Sequence, residues 1–555
     1  MLLIIGLDGA TWDLMGPWIA AGRLPHLARL QQQGVSGRLA STMPPATLPS
    51  WTTFMTGVNP GKHGIFDFTR RELGSYEVRF VNATFRKAPT VWRLLSDAGR
   101  RVAVLGLPGT YPPEPLNGCM ISGFDTPVTT RADASFVTPP DLAPLVEQLG
   151  GFPFADFQEF RVGADWYRMA LDRLLQGIAV KTRLAQTLLR REAWDCFLLL
   201  FGESDTVAHH FWRFHDPRSP RFDRAGAGEL GDAIFRVYAA LDAAIGRLRD
   251  TVPDAAVLVA SDHGFGGAGS KAVYLNNWLQ QIGFQRAQRG GTRLRAAGVA
   301  KRLALQLLPA ALQARAFRLN GGRWASRLES RARFAGIDWS GTQAFSEELN
   351  YFPSVWLNVK GREPEGIVAP ADYDRVCDAL CAAAATLRDP VHGGPVIRRV
   401  WRRAELYDGP YLSYAPDLVL ELNLDGNYSY TCLPSRMAPT AEAVRQLDAC
   451  ECAGGKLTGM SGSHRPDGIV LLAHDRVPHG QWLRGAQIGD LAPTILDLCG
   501  ASIPADFDGR TISPVVSPSE GREMPVSGGQ RGERWYGPAE EHEIAARLMD
   551  LGYLG

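Results

Sequence analysis

The sequence has no long hydrophobic run and no excess of charge of either sign. None of its apolar stretches approaches the roughly 20 residues that a membrane-spanning helix needs. The first stretch, residues 2–7, ends at Asp8 and lacks the charged start and the small-residue cleavage site of a signal peptide. The formal net charge of +1 gives the chain as a whole no attraction to nucleic acid or to a membrane. We therefore expect a cytoplasmic protein without a transmembrane segment and without a nucleic-acid partner.

Several common motifs are also missing. The 8 cysteines are scattered without the paired spacing of a zinc knuckle, so we expect free thiols. No Gly-x-Gly-x-x-Gly turn follows Asp8 and Gly9, which excludes a dinucleotide-binding fold. The glycines of residues 57–64 are spaced too closely for a phosphate-binding P-loop, and His63 stands where that loop has Ser or Thr. The function therefore has to be inferred from other residues.

The sequence does contain a series of short apolar runs separated by longer amphipathic segments. The runs are residues 2–7, 102–107, 196–201, 256–260, 418–422 and 469–473. The clearest amphipathic segments are residues 91–98, 166–190 and 230–249. Continuous apolar runs of this length indicate strands buried on both faces, and the segments between them indicate helices that pack on the sheet. The pattern predicts an α/β protein, specifically a three-layer α/β/α sandwich.

At 555 residues the chain is too long for one ordinary hydrophobic core, so we expect a core with a large inserted cap. Residues 266–334 are rich in Arg, Ala and Leu and indicate basic amphipathic helices. They form either a solvated cap or a surface for an acidic substrate or anionic lipid. The predicted division is a first part of the core at 1–265, a largely helical cap at 266–415, a second part of the core at 416–515, and a connector with a C-terminal helix at 516–555.

Three aspartates directly follow, or lie close behind, predicted strands. Asp8, Asp205 and Asp262 occupy these positions, and the functional residues of open α/β sheets collect at the carboxyl ends of the strands. Asp205 and His209 are four residues apart, so on a helix they share one face. Asp262 is followed by His263, and a lone Asp-His pair of this kind is usually structural. Asp oxygens and His nitrogens together can bind divalent cations.

A hydroxyl-rich segment follows the first strand and helix. Thr47 lies between prolines just before a helix that opens near Pro49. A hydroxyl there lies near the helix N-terminus, whose free N–H groups favour an anion. Thr47 is a candidate nucleophile, although a helix-capping threonine is an equally simple interpretation. The rival hydroxyls in the same segment are Ser50, Thr52 and Thr53.

The candidate residues, in their order and context, resemble the alkaline phosphatase superfamily, and most closely its type I phosphodiesterase/nucleotide pyrophosphatase branch. Residues 44–65 resemble the nucleophile motif of that branch, and residues 489–500, followed by 508–510, resemble the closing helix and turn of the superfamily. Residues 358–368 are similar to the predicted phosphohydrolase/phosphomutase group. The set comprises Asp8, Thr47, Asp205, His209, Asp262, His263 and His464.

The resemblance implies a two-metal centre. One ion, most readily zinc with manganese or iron as alternatives, is bound by Asp205, His209 and His464. The other is bound by Asp8, Asp262 and His263. Thr47 bridges or approaches the two ions, and so counts among the metal residues; it attacks phosphorus and forms a phospho-threonine intermediate. The implied partner is a small-molecule phosphate ester, and the sequence leaves the oligomeric state open.

The chain departs from the branch at one position. Nucleotide pyrophosphatases carry an Asn just after His-Gly-Ile, where this chain has Phe66. We therefore expect the phosphoryl contact from Lys62, Arg70 or Asn82, and nucleotide preference is in doubt. The sequence also lacks the Cys/Ser-x-Pro-x-Arg motif of sulfatases, which argues against sulfatase activity.

We predict a two-metal phosphoric ester hydrolase, and a phosphodiesterase ahead of a phosphomonoesterase. Phosphomutases and phosphoryl or phosphoethanolamine transferases use the same core. These activities stay alternatives, because sequence does not reveal what attacks the intermediate. From a different class, a metal-stabilised binding protein without turnover stays an alternative, although a complete predicted ligand set argues against it.

Overall fold

The computed structural model describes residues 1–127, 134–154, 164–288, 334, 336–452, 459–512 and 532–550. Most of the predicted basic helices of the insertion and most of the predicted connector lie outside these residues. The strands are β1 Leu2–Leu7, β2 Val35–Ala40, β3 Thr69–Arg71, β4 Val78–Phe80, β5 Val102–Leu107, β6 Gly118–Ser122, β7 Val137–Thr138, β8 Cys196–Phe201, β9 Ala256–Ala260, β10 Gly264–Val273, β11 Ala344–Phe345, β12 Ser354–Leu357, β13 Ile397–Arg402, β14 Leu418–Leu422, β15 Leu424–Asp425, β16 Tyr428–Cys432, β17 Val444–Gln446, β18 Gly462–Arg465, β19 Asp467–Ala473 and β20 Gln481–Gln487.

Helices separate most of these strands along the chain. They are α1 Trp12–Ala20, α2 Pro25–Gln32, α3 Thr47–Thr56, α4 Pro60–His63, α5 Val91–Asp97, α6 Ala143–Gln148, α7 Ala164–Arg191, α8 Glu203–His215, α9 Arg224–Leu230, α10 Ala233–Thr251, α11 Leu275–Gln281, α12 Tyr373–Ala384, α13 Arg403–Leu406, α14 Leu491–Leu498 and α15 Pro538–Asp550. Among the described residues, no helix combines the length and the apolar character needed to cross a bilayer. The cytoplasmic location stays a prediction.

A nine-stranded sheet forms the centre of the molecule, in the order β20-β2-β19-β9-β1-β8-β5-β6-β7. Strands β9, β1, β8, β5 and β6 run parallel, and β19 is antiparallel to both β9 and β2. The parallel strands are almost entirely apolar because helices cover both faces of the sheet. Five of the six predicted runs are strands of this sheet.

The two faces of the sheet contact two separate helical layers. Successive side chains of a strand point to opposite faces, so Leu3 and Ile5 of β1 pack in one cluster with α7, α8 and α10. Leu2 and Ile4 of the same strand pack in the other cluster, with α3, α5 and α14. The predicted α/β/α sandwich is confirmed.

Two further sheets lie outside the central sheet. One has the order β11-β12-β14-β13, and the other has the order β15-β16-β10-β17, with β18 joined through β10. Strands β11, β12 and β13 and helices α11, α12 and α13 lie within the predicted cap, so its described residues contain strands as well as helices. Residues 418–422 form β14, but this strand pairs antiparallel with β12 and β13 outside the central sheet. Its apolar run is too short to reveal which sheet it joins. The domain boundaries stay a prediction.

The C-terminal helix lies where the sequence predicts a helix, at residues 538–550. The helix and the residues just before it contact the core near the end of β6. Tyr536 donates to the Asp125 carbonyl at 2.8 Å, and Arg547 donates to the carbonyls of Phe124 and Thr126. All eight cysteines are free thiols, as expected.

Asp125 is a buried carboxyl group beside this contact. Its Oδ1 accepts from the Gly109 backbone N–H at 3.1 Å, and burial raises its pKa to about 6. Because this pKa lies above the ordinary value of 3.8 for an aspartate, the folded protein holds the proton more tightly than the unfolded chain does. The resulting stabilisation is complete below about pH 4 and is lost as the pH rises through about 6. Two pKa units correspond to about 3 kcal/mol.

Asp125→Asn should remove this pH dependence, because the amide carries no charge and its oxygen still accepts from Gly109. We expect the free energy of unfolding of the wild type, relative to the variant, to fall by about 2 to 3 kcal/mol between about pH 4 and pH 8. Urea unfolding measured at both pH values checks it. Asp254→Asn, at an exposed turn, is the matched control. An equal difference between wild type and Asp125→Asn at both pH values would contradict the prediction.

Candidate active site

Three buried aspartates meet at the carboxyl edge of the central sheet. Asp8 directly follows β1, Asp262 lies shortly after β9, and Asp205 lies in the first turn of α8, which begins just after β8. These three strands are adjacent and parallel, so their carboxyl ends lie side by side. Gly9 has φ +64°, and a Cβ there would lie 2.9 Å from the Phe265 ring, so the turn after Asp8 requires glycine.

The first group of side chains surrounds the Nε2 atom of His263. This nitrogen lies 3.6 Å from Asp8 Oδ1 and 3.3 Å from Asp262 Oδ2. The Thr47 Oγ1 atom lies 3.1 Å from the same nitrogen. The structure thus brings together the threonine and three predicted ligands, which come from separate parts of the chain.

The second group surrounds Asp205. Its Oδ1 lies 3.4 Å from Nε2 of His209, one turn along α8, and 3.4 Å from Nε2 of His464. The two imidazole nitrogens are 3.2 Å apart. His464 reaches this position because β18 pairs antiparallel with β10, which places it opposite Phe265. All predicted ligands therefore lie in one cluster.

The two groups meet at His263. Donor atoms of Asp205, His263 and His464 lie within 4.8 Å of one another, and so do those of Asp8, Asp262 and His263. The two groups thus adjoin each other. The assignment of three residues to each ion stays a prediction.

Each of the three histidines is fixed in the same tautomer by a backbone carbonyl. Nδ1 of His263 lies 3.0 Å from the Gly264 oxygen, and Nδ1 of His464 lies 3.0 Å from the Pro45 oxygen. Nδ1 of His209 lies 3.2 Å from the Gly462 oxygen. An imidazole that donates through Nδ1 presents the lone pair of Nε2, and metal-binding histidines are held in this way. In all three, Nε2 faces the carboxylates.

The charge of the cluster calls for cations. Asp8 Oδ1 and Asp262 Oδ2 are buried and accept no hydrogen bond from the described residues. Burial, followed by the nearby Asp262 and Asp205 carboxylates, raises the pKa of Asp8, and burial raises that of Asp262. Burial lowers the pKa of His263 and of His464, so these rings are held neutral. Buried carboxylates without compensating charge are costly, and an Asp/His donor set fits zinc or a similar divalent ion.

Thr47 is the first residue of α3, and its side chain is fully buried. The rival hydroxyls have other partners. Ser50 hydrogen bonds to the hydroxyls of two neighbouring residues, Thr52 donates to the Leu48 carbonyl, and Thr53 contacts the ring of His63. The geometry therefore favours Thr47 among these hydroxyls.

The three candidate phosphate contacts are held by other parts of the protein. Lys62 pairs with Asp508, and it lies in α4, which follows the end of α3 opposite Thr47. Arg70 forms a two-pronged contact with Glu533, at 2.9 and 3.4 Å. The side chain of Asn82 caps a turn at Thr84 and donates to the Arg534 carbonyl at 2.8 Å. Their role as phosphate contacts stays a prediction. The sequence does not show that the C-terminal segment packs against Arg70 and Asn82.

Two residues that the sequence did not single out contact the cluster. Trp51 donates from Nε1 to Asp8 Oδ2 at 3.1 Å, and its position one helical turn after Thr47 was a usable signal. Tyr351 stacks on His464 with ring centroids 3.8 Å apart. It lies in the inserted region, and no local pattern indicated it.

A third group of possible ligands lies away from the central sheet, at Asp389, His392 and Asp425. Lys271 Nζ lies 2.8 Å from Asp389 and 2.9 Å from Asp425. The ammonium group already pairs with both carboxylates, so this group is best explained as an ion-pair network.

The fold is shared with a solved structure. Phosphonoacetate hydrolase from Sinorhizobium meliloti 1021, in complex with phosphonoformate, aligns with a TM-score of 0.52 at 16% identity, covering 90% of this chain and 95% of the hydrolase. Human ectonucleotide pyrophosphatase/phosphodiesterase 5 aligns with a TM-score of 0.45 at 14% identity, covering 91% and 96% of the two chains. The sequence model of type I phosphodiesterase / nucleotide pyrophosphatase matches residues 2–433, well over half of the chain. The chain therefore belongs to the type I phosphodiesterase / nucleotide pyrophosphatase family.

Proposed function

We propose that this phosphoric ester hydrolase is a two-metal phosphodiesterase that works through a covalent intermediate on Thr47. The observation that carries the proposal is the 3.1 Å contact between Thr47 Oγ1 and His263 Nε2 within a buried cluster of aspartates and histidines. The hydroxyl thereby lies against a nitrogen that we assign to an ion.

Six side chains are assigned to the two ions. Asp205, His209 and His464 bind one, and Asp8, Asp262 and His263 bind the other, with zinc the best fit and manganese or iron as alternatives. When bound, two such ions stabilise negative charge on the attacking and leaving oxygens of a displacement at phosphorus. The support lies in the donor types, in the common tautomer of the three imidazoles, and in the buried oxygens of Asp8 and Asp262 that accept no hydrogen bond from the described part of the chain.

Thr47 supplies the nucleophile. Its Oγ1 loses its proton and forms a bond to phosphorus, while the bond from phosphorus to the leaving alcohol breaks and the alcohol takes a proton. Water then attacks phosphorus, and Thr47 Oγ1 leaves and regains a proton. The products are an alcohol and a phosphomonoester. Thr47 begins α3, so the positive end of that helix faces the phosphoryl group and favours its negative charge.

The environment of Phe66 does not support a preference for nucleotides. This side chain is 6% exposed and packs edge-on against Tyr407, with ring centroids 5.1 Å apart. The position therefore cannot offer the polar contact that the Asn of nucleotide pyrophosphatases provides. We propose a small-molecule phosphodiester as substrate without assigning its alcohol.

Matched aryl substrates test the proposal. With bis(4-nitrophenyl) phosphate, 4-nitrophenyl phosphate and 4-nitrophenyl sulfate, we expect kcat/KM for the diester to exceed the other two by at least about tenfold, or 1.4 kcal/mol in barrier height. Elemental analysis of the same sample should give two ions per chain. Higher kcat/KM for the monoester would replace the proposal with a phosphomonoesterase, and activity confined to phosphosugar isomers would indicate a mutase.

A further inference from the structure

Three aromatic rings form a continuous stack across the cluster. The ring of Tyr351 lies 3.8 Å from that of His464, with planes 10° apart. The ring of His464 lies 3.6 Å from that of His263, with planes 22° apart. The Tyr351 hydroxyl also lies 3.4 Å from Nδ1 of His209. Tyr351 therefore contacts two predicted ligands, His464 and His209, directly. It is connected to a further one, His263, through the ring of His464.

Tyr351 does not belong to the central sheet. It lies between β11 and β12, in the four-stranded sheet of the inserted region. The loop that carries it is constrained at Glu348, which has φ 55° and is only 4% exposed. Left-handed backbone is unfavourable for a residue with a Cβ and persists only where the surroundings enforce it.

The surroundings of Glu348 provide that constraint. Its carboxylate accepts from the backbone N–H of Asn276 at 2.9 Å and from that of Ser435 at 2.5 Å. Asn350, the neighbour of the tyrosine, accepts from the Cys432 N–H at 3.1 Å. The loop is thus fixed to α11 and to the segment at the end of β16, which determines where the Tyr351 ring lies.

The ring of Tyr351 is one of the groups that hold the side chains of His209 and His464 in place. Phe265 contacts the His209 ring edge-on, with centroids 4.7 Å apart, and Tyr351 lies on another side of the same ring, with centroids 5.8 Å apart. His464 is held by the Pro45 carbonyl at one nitrogen and is enclosed between the rings of Tyr351 and His263. Both histidines direct Nε2 toward Asp205 in this arrangement.

We propose that Tyr351 is a positioning residue for the ion assigned to Asp205, His209 and His464. Its ring holds the plane of His464, and its hydroxyl borders Nδ1 of His209. The inference rests on the proposed function, because it requires that these histidines bind an ion. Groups that orient metal ligands typically change metal affinity by about 10-fold to 100-fold when they are removed. The inserted region thereby contributes to the metal centre as well as covering the core.

Tyr351→Leu and Tyr351→Phe separate the ring from the hydroxyl. Leucine keeps apolar volume but offers no ring plane, whereas phenylalanine keeps the stack. Each variant is dialysed against graded chelator concentrations, and its metal content is measured by elemental analysis. We expect Tyr351→Leu to lose one ion per chain at a chelator concentration about 10-fold to 100-fold lower than the wild type, and Tyr351→Phe to restore most of the retention.

Tyr274→Leu is the matched control. Tyr274 is also a buried tyrosine, 2% exposed, but it follows the far end of β10, roughly 30 Å of strand from His263. The Tyr274→Leu variant should retain both ions, as the wild type does. Equal retention by Tyr351→Leu and the wild type would overturn the inference while leaving the proposed function intact, and so would an equal loss in Tyr274→Leu. A wild type that binds no divalent ion would overturn both.

Discussion

Thr47→Ala is expected to abolish turnover of an aryl phosphodiester, with kcat lowered at least about 10³-fold, because the variant has no oxygen to attack phosphorus. Since the six assigned ligands are unchanged, elemental analysis should still give two ions per chain. Steady-state kinetics with bis(4-nitrophenyl) phosphate and a metal determination on the same sample measure both quantities.

Thr52→Ala is the matched control for this experiment. Thr52 is another buried hydroxyl on α3, and it donates to the Leu48 carbonyl at 2.7 Å, inside the helix. Its loss should leave turnover close to that of the wild type. Unchanged activity in Thr47→Ala would remove Thr47 as the nucleophile. Loss of both ions in Thr47→Ala would show that the variant disturbs the centre and that the loss of turnover has a different cause.

His464→Ala is expected to lower the metal content from two ions per chain to one and to reduce turnover by at least about 100-fold. Asp205 and His209 alone provide two donors, which is fewer than the three or four protein ligands of zinc sites. Removal of a supporting residue already costs up to about 100-fold, so the loss of a ligand should cost at least as much. Elemental analysis and diester kinetics check the two effects together.

His479→Ala is the corresponding control, because His479 lies at an exposed turn. It should keep both ions and wild-type turnover. A full metal complement in His464→Ala would show that His464 does not bind an ion. That result would also weaken the inference for Tyr351, whose ring stacks on His464.

Strand ends were the most informative feature of the sequence. The apolar runs before Asp8 and Asp262 are buried central strands, and parallel strands bring such ends together wherever they occur in the chain. The spacing of Asp205 and His209 was enough to predict that they lie together, because α8 places them on one face. These parts of the site follow from local pattern and general topology.

Long-range packing could not be predicted in the same way. His464 reaches the cluster through the pairing of β18 with β10, and its assignment came from resemblance to a family. Arg70 and Asn82 are occupied by a C-terminal segment that follows them by hundreds of residues. Tyr351 contacts its partners from a short loop between two short strands, where neither strand period nor helix period applies.

The stereochemical course at phosphorus tests the central claim most directly. Two successive in-line displacements, one by Thr47 and one by water, each invert phosphorus, so the overall reaction retains its configuration. The measurement is hydrolysis of a single-enantiomer aryl phosphorothioate diester in ¹⁸O-labelled water, followed by assignment of the product configuration. Net retention is predicted. Net inversion would mean that water attacks the diester directly, and it would contradict a covalent intermediate on Thr47.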